Sequence, residues 1–70
     1  RPAEAEAMLR RAVAIEPAGY DLLFALADFL LRQGGPSRID EVAALADRMA
    51  AIDPSRPEAG QLQAVIGSIR

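Results

Sequence analysis

Two aspartates, Asp21 and Asp28, are the residues whose types and spacing could most readily do chemistry, as a pair of carboxylates. Within one helix they would lie about 10.5 Å apart along the axis. That exceeds the roughly 9.5 Å upper spacing of the carboxylates in an inverting glycosidase. The chain has no His and no Cys, so the commonest general base and the thiolate nucleophile are missing. We therefore expect no enzyme activity and no catalytic, cofactor-binding or metal-binding residues.

The remaining charged residues form no recognisable ligand loop. The sequence contains neither an Asx-rich calcium loop nor a Gly-rich phosphate loop, and Asp40, Glu41 and Asp47 are most simply a solvated face. Asp28 precedes Arg32 by four residues, the favourable order for an exposed ion pair on a helix. We expect that pair to form, with direct contact to a ligand as the alternative.

Composition narrows the classes of partner. All eight basic residues are Arg, spread along 70 residues, and the net charge is −2 with a pI of about 4.9. A nucleic-acid-binding domain would be basic with clustered cations, and no apolar run is long enough for a transmembrane helix. We therefore expect a protein or peptide partner and neither nucleic acid nor membrane. The compartment is not established, with the cytoplasm slightly favoured.

Ala- and Leu-rich periodic segments punctuated by Pro and Gly predict an all-α fold. Pro2 fits a first helical turn, whereas Pro17 and the segment Gly34–Pro36 should stop helices. Ser37 with Asp40 and Ser55 with Glu58 resemble capping boxes. The expected helices, joined by short loops that favour antiparallel neighbours, span residues 3–16, 20–33, 38–52 and 56–69.

The apolar residues predict how these helices pack. In the first helix Ala5, Met8, Leu9, Ala12 and Ile15 form one apolar stripe at helical spacing. The second helix is apolar on nearly every side, which predicts a central helix covered by a neighbour on each side. Within it we expect Phe29 in the core and Tyr20 packed in the turn, whereas Phe24 could be either core or binding residue.

The chain also contains an internal repeat. The runs at residues 12–17 and 49–54 end alike, and Pro17 and Pro54 are 37 residues apart. Aligning these prolines places Glu4 opposite Glu41 and Ile15 opposite Ile52. Such a period is typical of stacked helical hairpins, in which each hairpin buries its apolar face against its neighbours.

The repeat resembles that of the tetratricopeptide repeat (TPR) family. Glu4-Ala5, Leu9, Ala12-Val13, Ile15 and Pro17 match the second helix of that repeat, and Leu23, Leu26, Ala27, Leu30 and Gln33-Gly34 match its first helix. Residues Gly35–Ser37 resemble a three-residue insertion that lengthens the usual period of 34 to 37. The resemblance covers nearly the whole chain as one full repeat flanked by two half repeats, and implies a short α-solenoid.

The resemblance also implies a function. First helices of TPR repeats line a concave surface that holds a peptide, and the positions carried over to that surface are Asp21, Phe24, Asp28, Leu31 and Arg32. Some members clamp a terminal carboxylate with Lys and Asn, but Phe24 and Asp28 occupy those positions here. We therefore expect a scaffold for protein interactions that does not recognise acidic chaperone tails.

Small residues on the fourth helix suggest alternatives. Gly60, Ala64 and Gly67 stand where large residues would normally face a partner helix. They are expected to form either the capping face of a solenoid or a close helix contact in a homodimer; contact with the rest of a longer chain is also open. The chain starts with Arg rather than Met, which favours an origin inside a longer protein or after processing. Because only one repeat is complete, we expect residues 1–70 to be a single domain near the C-terminus of a longer repeat protein. A third hypothesis makes it an accessory to an enzyme elsewhere in that protein.

Overall fold

A computed structural model describes residues 1–69, and within them the chain forms four α-helices and no strand. The fold is therefore the predicted all-α one, and the second helix has the predicted bounds. None of the four helices combines the length and apolarity that crossing a bilayer requires. The helices are α1 (Pro2–Ile15), α2 (Tyr20–Gln33), α3 (Pro36–Ile52) and α4 (Glu58–Ile69).

Each helix packs against the next, and α2 lies between α1 and α3. The prediction of a central second helix is thus confirmed. Leu23 and Leu30 of α2 and Val42 and Met49 of α3 are the largest fully buried side chains. Most of the core therefore lies where α2 meets α3, and α1 and α4 add one helix on either side.

The junction between α2 and α3 differs from the prediction. Helix α3 begins at Pro36 rather than residue 38, and Gly34 and Gly35 alone form the turn, both with positive φ. Ser37 lies inside the first turn of α3, which has no side-chain cap, so the capping box of Ser37 with Asp40 is wrong. Pro36 explains the earlier start, because its fixed φ suits the first helical position. Part of the inserted segment therefore extends α3.

The start of α4 also differs. The helix begins at Glu58 rather than residue 56, and the N–H of Gln61 donates to the carbonyl of Pro57 at 3.0 Å. Both the N–H and the hydroxyl of Ser55 donate to Asp53 Oδ1, at 3.1 and 2.6 Å. The capping box of Ser55 with Glu58 is therefore wrong, because Asp53 engages this Ser in an Asx-type turn before the helix starts.

The apolar stripe predicted on α1 is only partly covered. Leu9 packs against the core and Val13 is buried, whereas Met8 and Ile15 are exposed. Helical periodicity identified the apolar residues of α1 correctly, but within residues 1–69 α1 has neighbours only on the side that faces α2 and α3, so only that side is covered. Two of the five stripe residues are therefore exposed on the surface.

A chain of ion pairs joins α1 to α3 outside the core. Arg10 binds both carboxylate oxygens of Glu41, at 2.5 and 2.9 Å, and its Nε donates to Glu6 at 2.9 Å. Arg38 donates to the other oxygen of Glu6 at 2.7 Å. The hydrogen bonds from Arg10 lower the pKa of both Glu6 and Glu41. This alternation of charges links α1 to α3 outside the core.

Candidate protein-interaction surface

The residues predicted to bind a partner lie on α2. We call Asp21, Phe24, Asp28, Leu31 and Arg32 the α2 stripe. Phe24 and Leu31 are half-buried and pack against the core with one side, and Phe29 is also only half-buried there. The two apolar stripe residues thus combine a fixed position with an exposed surface, which is what a contact residue for a partner requires.

Two of the charged stripe residues pair with each other. Arg32 Nε donates to Asp28 Oδ2 at 3.1 Å, which confirms the predicted ion pair. Both side chains remain substantially exposed, so the pair contributes at most about 1 kcal/mol to stability. Its main effect is to place one negative and one positive group beside Leu31.

Asp21 has a partner that local spacing does not indicate. Its Oδ1 accepts a hydrogen bond at 2.7 Å from Arg56, which lies in the segment before α4. The same Arg56 nitrogen donates to Glu58 at 2.7 Å. The Arg56 guanidinium also lies 4.1 Å from the centre of the Tyr20 ring, a cation–π contact.

Tyr20 anchors this cluster. The ring is buried, as predicted for a packing residue, and its hydroxyl accepts a hydrogen bond from the N–H of Ala59 at 3.2 Å. The start of α2 is thereby tied to the start of α4. Since Arg56 is shared by Asp21 and Glu58, this end of the α2 stripe carries one negative charge in excess. The hydrogen bond from Arg56 lowers the pKa of Glu58, and Glu58 is therefore ionised at neutral pH.

The small residues of α4 lie on the surface. Gly60, Ala64 and Gly67 are exposed, and a side-chain carbon added at Gly60 or Gly67 would meet open space. Within residues 1–69 no helix packs against this face. Two larger apolar residues of α4, Val65 and Ile69, are partly exposed as well.

Two shallow cavities lie away from the α2 stripe. One of about 390 Å³ lies between the start of α3 and the end of α4 and includes Ile39 and Ile69. The other, about 280 Å³, lies between α1 and α3 and includes Val13 and Leu45. Neither of these two cavities contains a residue of the α2 stripe.

The sequence and the geometry first define a class: a stack of helices with a 37-residue repeat and an apolar core between successive helices. Within that class, the family model of the tetratricopeptide repeat matches residues 1–66. The chain belongs to the tetratricopeptide repeat family, as its sequence pattern predicted. Members of this family generally serve as scaffolds for protein interactions and are typically not catalytic.

Among curated proteins and solved structures, none matches the chain.

Proposed function

We propose that the chain binds a peptide or protein segment along the α2 stripe and carries out no reaction itself. The observation that carries this proposal is the pair of half-buried residues Phe24 and Leu31, held against the core and flanked by Asp21, Asp28 and Arg32. Apolar anchors surrounded by charged groups are the usual composition of a protein-binding surface.

The charges of the stripe indicate which segments would fit. The end at Asp21 has an excess negative charge, whereas Asp28 and Arg32 balance each other. A segment that places two apolar residues on Phe24 and Leu31 and one basic residue near Asp21 would satisfy both features.

A peptide library displayed on phage and selected against the full chain would supply a defined ligand. The affinity of a selected peptide would then be compared between the original chain, variants of the α2 stripe and control variants of α1. Phe24→Ala and Leu31→Ala should each weaken binding by about tenfold or more, because truncating a central anchor costs more than 1 kcal/mol.

Matched controls separate binding from folding. Met8→Ala and Ile15→Ala remove exposed apolar side chains of α1 and should leave the peptide affinity unchanged. Asp28→Lys reverses a stripe charge and removes the exposed ion pair with Arg32, which is worth at most about 1 kcal/mol, so circular dichroism should show an unchanged helix content. If Phe24→Ala and Leu31→Ala bind the peptide as tightly as the original chain does, the α2 stripe is not the binding surface.

A capping role for α4 is the second candidate, favoured by the exposed small residues Gly60, Ala64 and Gly67. A terminal helix needs an outer face that does not demand a partner. Homodimer formation through the same face is the competing hypothesis. Analytical ultracentrifugation from micromolar to millimolar concentration distinguishes them: a cap stays monomeric, whereas a dimer appears with rising concentration and is abolished by Ala64→Glu.

A further inference from the structure

One face of α1 is apolar and charged yet covered by nothing in residues 1–69. Met8 is 72% exposed and Ile15 77% exposed. Arg1 and Glu4 make only a loose contact of 3.6 Å with each other, and Arg11 is exposed too. We call Arg1, Glu4, Met8, Arg11 and Ile15 the α1 face.

The charged residues of this face recur in α3. Moving 37 positions along the chain preserves four of the five residues of the α1 face and replaces Met8 by Leu45. The preserved residues are Arg1, Glu4, Arg11 and Ile15, which correspond to Arg38, Glu41, Arg48 and Ile52. The two helices therefore present the same pattern of charges around one large apolar residue.

In α3 all three charged residues have partners in the preceding repeat. Arg38 binds Glu6 at 2.7 Å and Glu41 binds Arg10 at 2.5 and 2.9 Å. Arg48 donates to the carbonyl of Pro17 at 3.2 Å. Every one of these contacts reaches α1 or the turn after it.

The apolar residue of the pattern is covered in α3 as well. Leu45 is only 4% exposed and lies beside Val13 of α1 and Leu26 of α2, with which it lines one shallow groove. The hairpin of α1 and α2 thus covers Leu45 on α3, whereas its counterpart Met8 on α1 is uncovered. Ile52, the counterpart of Ile15, remains 39% exposed.

We propose that the α1 face is the docking surface for one further helical hairpin of the same kind, preceding this chain in tandem within one polypeptide. Its second helix would present a Glu and an Arg four residues apart, as Glu6 and Arg10 do, and end in a turn with a free carbonyl, as at Pro17. Arg1, Glu4 and Arg11 then gain the partners that their counterparts have, and Met8 becomes buried.

The charges argue against a second copy of this chain in that place. Stacking a copy in the same register would bring α3 onto the α1 face, with Ala43 and Asp47 where Glu6 and Arg10 stand in α1. Asp47 would then lie opposite Glu4, and like charges in such a contact oppose association. Arg1 would face Ala43 and gain no carboxylate.

The test is an extended chain in which residues 1–37 are duplicated ahead of Arg1, with Met8→Leu in the added copy. Oxidation of Met8 by hydrogen peroxide, followed by mass spectrometry, reports its exposure, and the fully buried Met49 is the internal reference. In the 70-residue chain Met8 should oxidise far faster than Met49. In the extended chain we expect Met8 to be protected by about tenfold or more, and Tm to rise by roughly 5 °C.

The matched control reverses one charge. Arg10→Glu in the added copy places a carboxylate opposite Glu4 and should remove part of the gain in Tm, while circular dichroism checks that the added helices form. Equal oxidation of Met8 in both chains, with no change in Tm, would overturn the proposal. Protection of Met8 in the 70-residue chain that grows with concentration would overturn it too, because the occupant would then be a second copy.

Discussion

At the scale of single residues, Tyr20 connects the candidate surface to the rest of the fold. Its buried ring supports the Arg56 guanidinium, and its hydroxyl accepts the Ala59 N–H. Through Arg56 the same cluster holds Asp21 at one end of the α2 stripe. The position of a candidate binding residue therefore depends on a side chain that a partner would not touch.

Tyr20→Phe should lower the free energy of unfolding by about 1–3 kcal/mol, because it leaves the buried N–H of Ala59 without an acceptor. Urea unfolding followed by circular dichroism measures the change. Asp21→Asn is the control, since the Asp21 side chain is 84% exposed and its ion pair is worth at most about 1 kcal/mol. An equal effect of the two substitutions would show that the Tyr20 hydroxyl is not what ties α4 to α2.

Local spacing predicts some contacts of the surface and misses others for a physical reason. The pair of Asp28 and Arg32 follows from four residues of helix, which bring two side chains together whatever the fold. Asp21 and Arg56 are 35 residues apart, so their contact depends on how α2 and α4 pack. The same holds for Arg10 with Glu41 and Arg38 with Glu6, which no helical periodicity encodes.

At the scale of helices and turns, the junction of α2 and α3 limits what substitutions the repeat accepts. Gly34 has φ 77° and ψ −176°, and Gly35 has φ 92° and ψ 149°. Backbones in this region are essentially restricted to glycine. Two such residues in succession reverse the chain within one short turn and let Pro36 begin α3.

Gly35→Ala should therefore destabilise the fold by about 1–3 kcal/mol. Gly67→Ala should have the opposite effect. Gly67 lies within α4, and a methyl group added there meets open space. Replacing a helical Gly by Ala raises the free energy of unfolding by about 0.5–1 kcal/mol. Thermal unfolding of the two variants measures both effects. Changes of the same sign would contradict the assignment of the strain to the turn.

The errors in the predicted helices share a cause. Serines and prolines before α3 and α4 offer two competing places to start, and pattern alone does not rank them. Pro36 and the glycine turn determine the start of α3, whereas Asp53 engages Ser55 ahead of α4. For α1, amphipathicity shows which residues are apolar but not whether a neighbour is present to cover Met8 and Ile15.

At the scale of the whole molecule, ion pairs bind the outer helices to the core hairpin. Hydrogen bonds from Arg10 lower the pKa of Glu6 and Glu41, and those from Arg56 and Ser55 lower the pKa of Glu58 and Asp53 respectively. A group whose pKa is lower in the folded state stabilises the fold above its unfolded pKa. That contribution disappears as the pH falls through the folded pKa.

The unfolded values lie near 4.5 for Glu and 3.8 for Asp. Tm should therefore be nearly constant between pH 8 and about 5, because the chain has no His, and should fall progressively at lower pH. Circular dichroism melts across this range test the prediction. Glu41→Gln should lower Tm at neutral pH and make the acid decline shallower. A large loss of Tm between pH 8 and 6 would point to other groups.

The order and pairing of the helices follow from the sequence because the repeat fixes both. Two proline-terminated runs 37 residues apart identify α1 and α3 as equivalent helices. Because α2 has apolar side chains on nearly every side, it must lie between two neighbours, and it lies between α1 and α3. The outer surfaces are less predictable. Whether Phe24, Gly60 or Met8 meets a partner depends on molecules that periodicity within one chain does not describe.

The central claim is that the α2 stripe binds a protein segment, and NMR chemical-shift mapping tests it most directly. A library-selected peptide would be titrated into the isotope-labelled full chain. We predict the largest amide shifts at Asp21, Phe24, Asp28, Leu31 and Arg32, with little change on α1. Shifts confined to the exposed faces of α1 or α4, with none at the stripe, would contradict the claim.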